Sequence, residues 1–164
     1  MIEADRIKIQ AISLQDIARF SEYRDKEEVA EYQSWDEYPL NKAINRIEYC
    51  QKHPFHGQIG NYQFGLYLKE NNQLIGDIFI EIDGHTTFTL GYTLDSVYWS
   101  KGYASEALKS VFKAMNETYS FKICLCHVYE DNIKSIKLLE RNGFDKIHKS
   151  WFYQDVLYRK MLNK

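Results

Sequence analysis

Two strand-like runs, "TLGYTL" ending at Leu94 and "KICLCHV" beginning at Lys122, enclose a single amphipathic helix. That helix carries Ala104, Ala107, Leu108, Val111, Phe112 and Met115 at helical spacing. A strand-helix-strand crossover of this length brings its two strands side by side in parallel. The preceding stretch follows another rule. "YQFGLYL", an Asn71-Asn72 turn, "QLIGDIFIEI", an Asp83-Gly84 turn and "TTFTLGYTL" read as an antiparallel meander. The Asp-Gly pair between alternating apolar runs is a strong hairpin signal. One chain that holds both patterns requires a mixed sheet.

The other elements fit around that sheet. "RIKIQAI" alternates as a strand, and Ser13 followed by Asp16 predicts a helix start with Leu14, Ile17, Ala18 and Phe20 on its apolar face. A second helix is expected from Asn41 to Lys52, ended by Pro54. After "KICLCHV", "NIKSIKLLERNG" predicts an amphipathic helix closed by Gly143, and "HKSWFYQDVLYRKML" a terminal hairpin with a packed aromatic face. The order is βααβββαβαββ: an α/β fold with a mixed central sheet, an antiparallel meander plus a parallel pair, flanked by about four helices. With 164 residues, 45% hydrophobic and 15% aromatic, a single domain over residues 1–164 has core enough without disulfide or metal staples.

Composition also limits partners. A net charge of -2 argues against bulk binding to nucleic acid or an anionic membrane. No run approaches membrane-spanning length, so a cytoplasmic protein is expected. Cys124 and Cys126 alternate in an apolar strand and read as small core residues. Cys50, His53 and His56 suggest a metal by type, but Pro54 breaks their spacing and no fourth ligand is evident, so none is expected.

The sharpest chemistry lies where the crossover delivers the chain to its helix, in "YWSKGYASEALKSVF". A helix N-terminus offers unpaired N–H groups and partial positive charge, the natural seat of a phosphate. Gly102 lets backbone approach a ligand closely, Ala104 keeps the next point small, and Lys101 adds charge; alternatively, Gly102 only makes a tight turn. A P-loop is excluded, because lysine precedes the glycine and no second glycine follows. A dinucleotide fingerprint is excluded too, since G-x-G-x-x-G is absent and "FKICLC" stands where its acidic residue would be.

"YWSKGYASEAL" followed by "YEDNIKSIKLLERNGF" resembles the acetyl-CoA-binding core of the GNAT superfamily of N-acetyltransferases, RimJ/RimL-like branch. Trp99 stands at the Arg/Gln position of the family loop, Gly102 is its fixed glycine and Ala104 its last small residue. Asn132, Ser135, Leu138 and the Gly143-Phe144 pair match the second block. The resemblance implies a GNAT fold and acetyl-CoA as cosubstrate. The amides of Lys101, Gly102, Tyr103, Ala104 and Ser105 would take the pyrophosphate. Main-chain groups of Tyr92, Thr93 and Leu94 would pair with the pantetheine arm, and Asn132 would contact the cofactor or simply cap its helix.

The resemblance implies direct attack of a primary amine, on a small molecule or a protein N-terminus, in a ternary complex of a monomer or homodimer. The tyrosine acid common in the family is replaced by Leu139, which leaves Ser135 as cofactor contact and candidate acid. The acidic residue many relatives carry two positions before "GY" is Thr89 here. Glu81, Asp83, His85 and His127 remain candidate bases by type, with His127 preferred on the strand expected to splay. Tyr32, Gln33 and Trp35 are expected to shape the amine pocket. The missing tyrosine and acid also admit a non-catalytic acyl-CoA-binding module on the same fold.

Overall fold

The computed structural model describes residues 1–149 and 155–162, so the aromatic face expected around Trp151–Tyr153 lies outside the described residues. Among the described residues eight strands form one sheet: β1 (Ile2–Glu3), β2 (Ile7–Ala11), β3 (Gly60–Leu68), β4 (Leu74–Ile82), β5 (Thr87–Leu94), β6 (Ile123–Tyr129), β7 (Asp145–Lys149) and β8 (Asp155–Met161). Their spatial order is β1-β2-β3-β4-β5-β6-β8-β7. The β3-β4-β5 meander is antiparallel throughout, and β5–β6 is parallel, as the crossover requires. The described residues also form five helices: α1 (Ile17–Arg24), α2 (Glu27–Ala30), α3 (Leu40–Lys52), α4 (Tyr103–Glu117) and α5 (Ile133–Arg141).

Each face of the sheet has its own core. Ala107, Leu108, Val111, Phe112 and Met115 of α4 press onto Ile7, Leu66, Ile80, Phe88 and Leu90, and Leu139 of α5 joins them. On the opposite face Phe20 and Tyr23 of α1 and Ala43 and Ile47 of α3 pack with Tyr67 and Leu74. The crossover helix thus buries the apolar stripe its sequence declares. Gly143 ends α5 at φ +79°, with Phe144 N–H returning to the Leu139 carbonyl at 3.1 Å.

The first helix begins differently from its expected capping box. Residues Leu14–Asp16 form a 3-10 turn before α1, and the Ser13 hydroxyl accepts from Gln15 N–H at 3.2 Å. Asp16 accepts instead from the Tyr67 hydroxyl at 2.9 Å, a contact across 51 residues that no local pattern announces. The short helix α2 is a further addition, a single turn of sequence EEVA too short to show a helical period, just before the aromatic and amide segment.

Beneath α1 and α3 lies a buried charged network. Asp77 of β4 accepts from Tyr23 Oη at 2.6 Å and from Arg24 Nη1 at 2.7 Å, and also from the Gln63 amide. The Arg24 guanidinium lies over the Trp35, Tyr38 and Phe20 rings at 3.8, 4.4 and 4.9 Å from their centroids. The rings hold the flat cation while the carboxylate neutralises it. Removing one member of such a pair strands the other charge. Asp77→Ala is therefore expected to destabilise the protein by about 3–5 kcal/mol, read from urea unfolding, with Asp77→Asn losing less because it keeps hydrogen-bonding groups.

Candidate active site

The site begins where two strands part. β5 and β6 share only the pairs Thr87–Ile123, Phe88–Cys124 and Thr89–Leu125, although β5 runs on to Leu94 and β6 to Tyr129. The carbonyl of Leu90, just past the last pair, accepts from the Cys126 thiol at 2.8 Å. Burial pushes that thiol up to about 12, so Cys126 stays protonated and is no nucleophile. Backbone beyond this point on β5 is left to face the gap.

The gap opens into a cleft of about 920 Å³ lined by β5 from Tyr92 to Leu94, the start of α4, the outer turns of α5, and α2 with the residues after it. Gly102 is the N-cap of α4 at φ +86°, a left-handed conformation that costs glycine least. Ser100 is also left-handed, at φ +61°. The first capping bond of the helix runs from Glu106 N–H to the Gly102 carbonyl at 3.1 Å. Among the described residues the amides of Tyr103, Ala104 and Ser105 have no protein acceptor, so they point their donors and the helix dipole into the cleft.

Contacts from both local and distant residues hold this loop. Arg6 donates from Nη1 to the Lys101 carbonyl at 3.0 Å and from Nε to Glu106 at 2.8 Å, and its guanidinium covers the Tyr103 ring at 4.4 Å. Glu106 also accepts the Arg6 backbone N–H at 2.6 Å, which ties α4 to β2. Trp99, at the position where the family pattern has Arg or Gln, donates its indole N–H to the Leu94 carbonyl at 2.8 Å. Asn142, at the end of α5, donates to the Ser105 hydroxyl at 3.0 Å.

On the α5 side, Asn132 caps its helix by accepting from Ser135 N–H at 3.1 Å. Both residues line the cleft, as do Lys134, Lys137 and Arg141. The Leu139 side chain is 1% exposed and belongs to the core, so nothing at that position could donate a proton to the cleft. On the opposite wall, Tyr32 and Gln33 line the cleft beside Glu28 and Glu31. Trp35 does not: it packs against Arg24 and donates to the Arg24 carbonyl at 3.0 Å. His127 stands outside the cleft lining, exposed on β6, with Nδ1 3.0 Å from Asp155 Oδ2. Thr89 sits at the last β5–β6 pair, with Glu81 opposite it on β4, exposed.

Sequence reasoning missed the fastenings of the loop. Arg6 looks like an ordinary strand residue, and its partner Glu106 is 100 positions away. Asp95, directly after β5, is 1% exposed, and it joins Arg19 and Lys26 to the start of the loop. Its signal was a lone aspartate ending an apolar strand, which reads equally well as a turn residue. Lys26 reaches it at 2.5 Å, and Glu28 of α2 accepts from the Ser96 hydroxyl at 2.7 Å. The α1–α2 corner is thereby bound to the loop that leads into α4.

A mixed sheet that splays beside a helix N-terminus, with both opening into one cleft, is the frame of an acyl-CoA-dependent transferase. A family model for the GNAT acetyltransferase domain matches residues 6–145, and the chain belongs to that family. It is an acetyltransferase, of a family whose donor is acetyl-CoA. An uncharacterized N-acetyltransferase p20 of Bacillus licheniformis is 26% identical over 145 residues, which span 87% of this chain and 80% of that protein. An acetyltransferase of the GNAT family from Bacillus anthracis superposes with a TM-score of 0.83 at 20% identity, covering 98% of this chain and 97% of that one. The ribosomal L7/L12 α-N-protein acetyltransferase RimL, solved with coenzyme A, gives a TM-score of 0.81 at 13% identity and covers 98% and 97%. At these identities the two structures speak for the fold. No helix among the described residues is long and apolar enough to cross a membrane, and no group of three or more metal-ligating side chains occurs among them.

The Asp95 junction has a pH signature. Burial would raise its pKa, but hydrogen bonds from Lys26 and Arg19, with the charge of Arg19, outweigh it and hold the carboxyl below its ordinary value. A depressed folded-state pKa gives stability that is complete above the unfolded value of about 3.9 and is lost as pH falls through the folded one. Asp95→Asn is expected to be less stable at pH 7 and to show a shallower loss of melting temperature below about pH 4, checked by thermal unfolding from pH 7 to pH 2.

Proposed function

We propose that this acetyltransferase moves the acetyl group of acetyl-CoA onto a primary amine by direct attack in a ternary complex, with the cleft holding both substrates. The observation that carries this reading is the left-handed Gly102 at the mouth of α4. It frees the amides of Tyr103, Ala104 and Ser105 in the same cleft that receives the parted end of β5. Those amides, with Lys101 and Gly102, are assigned to the pyrophosphate. Lys134, Lys137 and Arg141 supply positive charge along the same wall for the remaining phosphate. The backbone of Tyr92, Thr93 and Leu94 is assigned to the pantetheine amides, which add to β5 as a further strand. Asn132 and Ser135 are read as cofactor contacts at the start of α5.

The acceptor is assigned to the opposite wall, beside Tyr32 and Gln33. Glu28 and Glu31 give that side a negative character suited to an ammonium group before it loses its proton. Trp35 serves from behind, by fixing Arg24 and the loop after α2. His127, paired with Asp155 on the face of β6, is the histidine candidate for removing the amine proton, with water linking it to the gap. The acceptor class includes small-molecule amines and protein N-termini, and the whole reaction is assigned to one domain.

Thiol release from acetyl-CoA across a panel of primary amines and N-terminal peptides tests the reading. Turnover on at least one member is expected, with His127→Ala reducing kcat about 10²-fold or more. Tight coenzyme A binding with no turnover on any amine would overturn it in favour of a binding module. Gly102→Ala forces a side chain into the left-handed region and brings its Cβ within 3.3 Å of Arg6 Nη2. The backbone strain is about 1–2 kcal/mol, so a rise of about tenfold in KM for acetyl-CoA with little change in kcat is expected.

A further inference from the structure

One polar group in the cleft has no use in the fold. Tyr92 lies on β5 with Phe88, Leu90 and Leu94 on the side that meets α4 and α5, and its ring packs against their core. Its hydroxyl is fully buried and has no hydrogen-bond partner among the described residues. Three other buried tyrosines are provided for: Tyr23 donates to Asp77, Tyr67 to Asp16, and Tyr62 to the Gln58 and Ile59 carbonyls. An orphaned buried hydroxyl is costly in a folded protein, and its persistence points to a partner that arrives later.

The neighbours of Tyr92 indicate which partner. Ser135 and Tyr92 both line the cleft, and the Ser135 hydroxyl approaches the phenol without closing a hydrogen bond. Cys126 stands close by, but its thiol is already committed to the Leu90 carbonyl. Burial pushes the Tyr92 phenol well above its ordinary pKa, against the lowering influence of the Ser135 hydroxyl, so it keeps its proton across the working range. The result is a permanent donor beside the strand gap, on the wall assigned to the donor substrate.

We propose that the Tyr92 hydroxyl donates a hydrogen bond to the thioester sulfur of acetyl-CoA and stabilises that sulfur as it leaves, a role that rests on the reading of the cleft given above. The neutral acceptor nitrogen forms its bond to the carbonyl carbon while the carbon–sulfur bond breaks. The electron pair of that bond passes to sulfur, where the phenolic hydrogen bond strengthens as charge develops. The proton shed by nitrogen ends on sulfur by way of solvent, giving amide and free thiol. Tyr92 keeps its own proton, because a phenol is a weaker acid than a thiol. Leu139 fills the helix position with an apolar side chain, and the strand supplies the donor instead.

Tyr92→Phe tests this with two readouts, kcat on the best amine and binding of coenzyme A against desulfo-coenzyme A by calorimetry at pH 9. At that pH a large share of the free thiol is ionised. The wild type is expected to prefer coenzyme A, and the variant to bind both ligands alike, with kcat lowered about 10- to 100-fold. Its melting temperature should be unchanged or higher, since the lost hydroxyl has no partner in the free protein. A kcat within twofold of wild type, or a fall in kcat with the sulfur preference intact, would overturn the assignment. Failure of the wild type to bind either ligand would overturn the cofactor cleft itself, and the Tyr92 role with it.

Discussion

The structure depends on a pairing that stops early. Three residue pairs join β5 to β6, and past Thr89 and Leu125 the ladder ends. A parallel pair held on both faces by packed helices would ordinarily continue, since every unpaired backbone group inside a protein is costly. Here the first orphan, the Leu90 carbonyl, is satisfied by a cysteine thiol, and the later ones face a cleft. The missing hydrogen bonds therefore leave an edge inside the sheet, open to the cleft.

That edge is useful only if the loop after it is placed accurately, and most of the polar contacts around the site do this. Asp95 anchors the loop where it leaves β5, drawing in Arg19 and Lys26 from the α1–α2 corner. Arg6 and Glu106 fasten the other end to the edge of the sheet, and Asn142 braces the first turn of α4 from the end of α5. The two walls of the cleft are thus linked through the same carboxylate. Arg6, Glu106, Asp95, Arg19 and Lys26 are thus spent on geometry, while the free amides of Tyr103, Ala104 and Ser105 face the cleft. This suits a preorganised electrostatic site, in which fixed dipoles need no rearrangement when charge develops.

The Arg24–Asp77 network does comparable work on the opposite face. It sits under α1 and α3, directly behind β4 and β5, with Thr93 within 3.5 Å of Arg24. Trp35 completes the cage around the cation. A buried ion pair is weak evidence of stability, because desolvation offsets most of the attraction. Its effect here is to fix how α1 and the loop after α2 lie against the sheet, and those elements carry Tyr32 and Gln33 to the cleft.

By itself the sequence determined what local periodicity and short motifs can encode. The Asp83-Gly84 turn set the meander, the stripe from Ala107 to Met115 set the crossover helix, and with it the single parallel pair. Gly102 ahead of that helix marked the mouth of the cleft, because a left-handed N-cap leaves a glycine signature. Tertiary structure alone decided the rest, since those contacts join residues that share no local pattern. Arg6 meets Glu106 across 100 positions, and Asp16 exchanges a capping role for Tyr67 across 51. Trp35 and Tyr32, three apart in one loop, go to a buried cage and to the cleft wall respectively. The Tyr92 hydroxyl looks like any strand tyrosine until the fold is seen to bury it without a partner. Periodicity reports which face a residue takes; only packing fixes what stands opposite it.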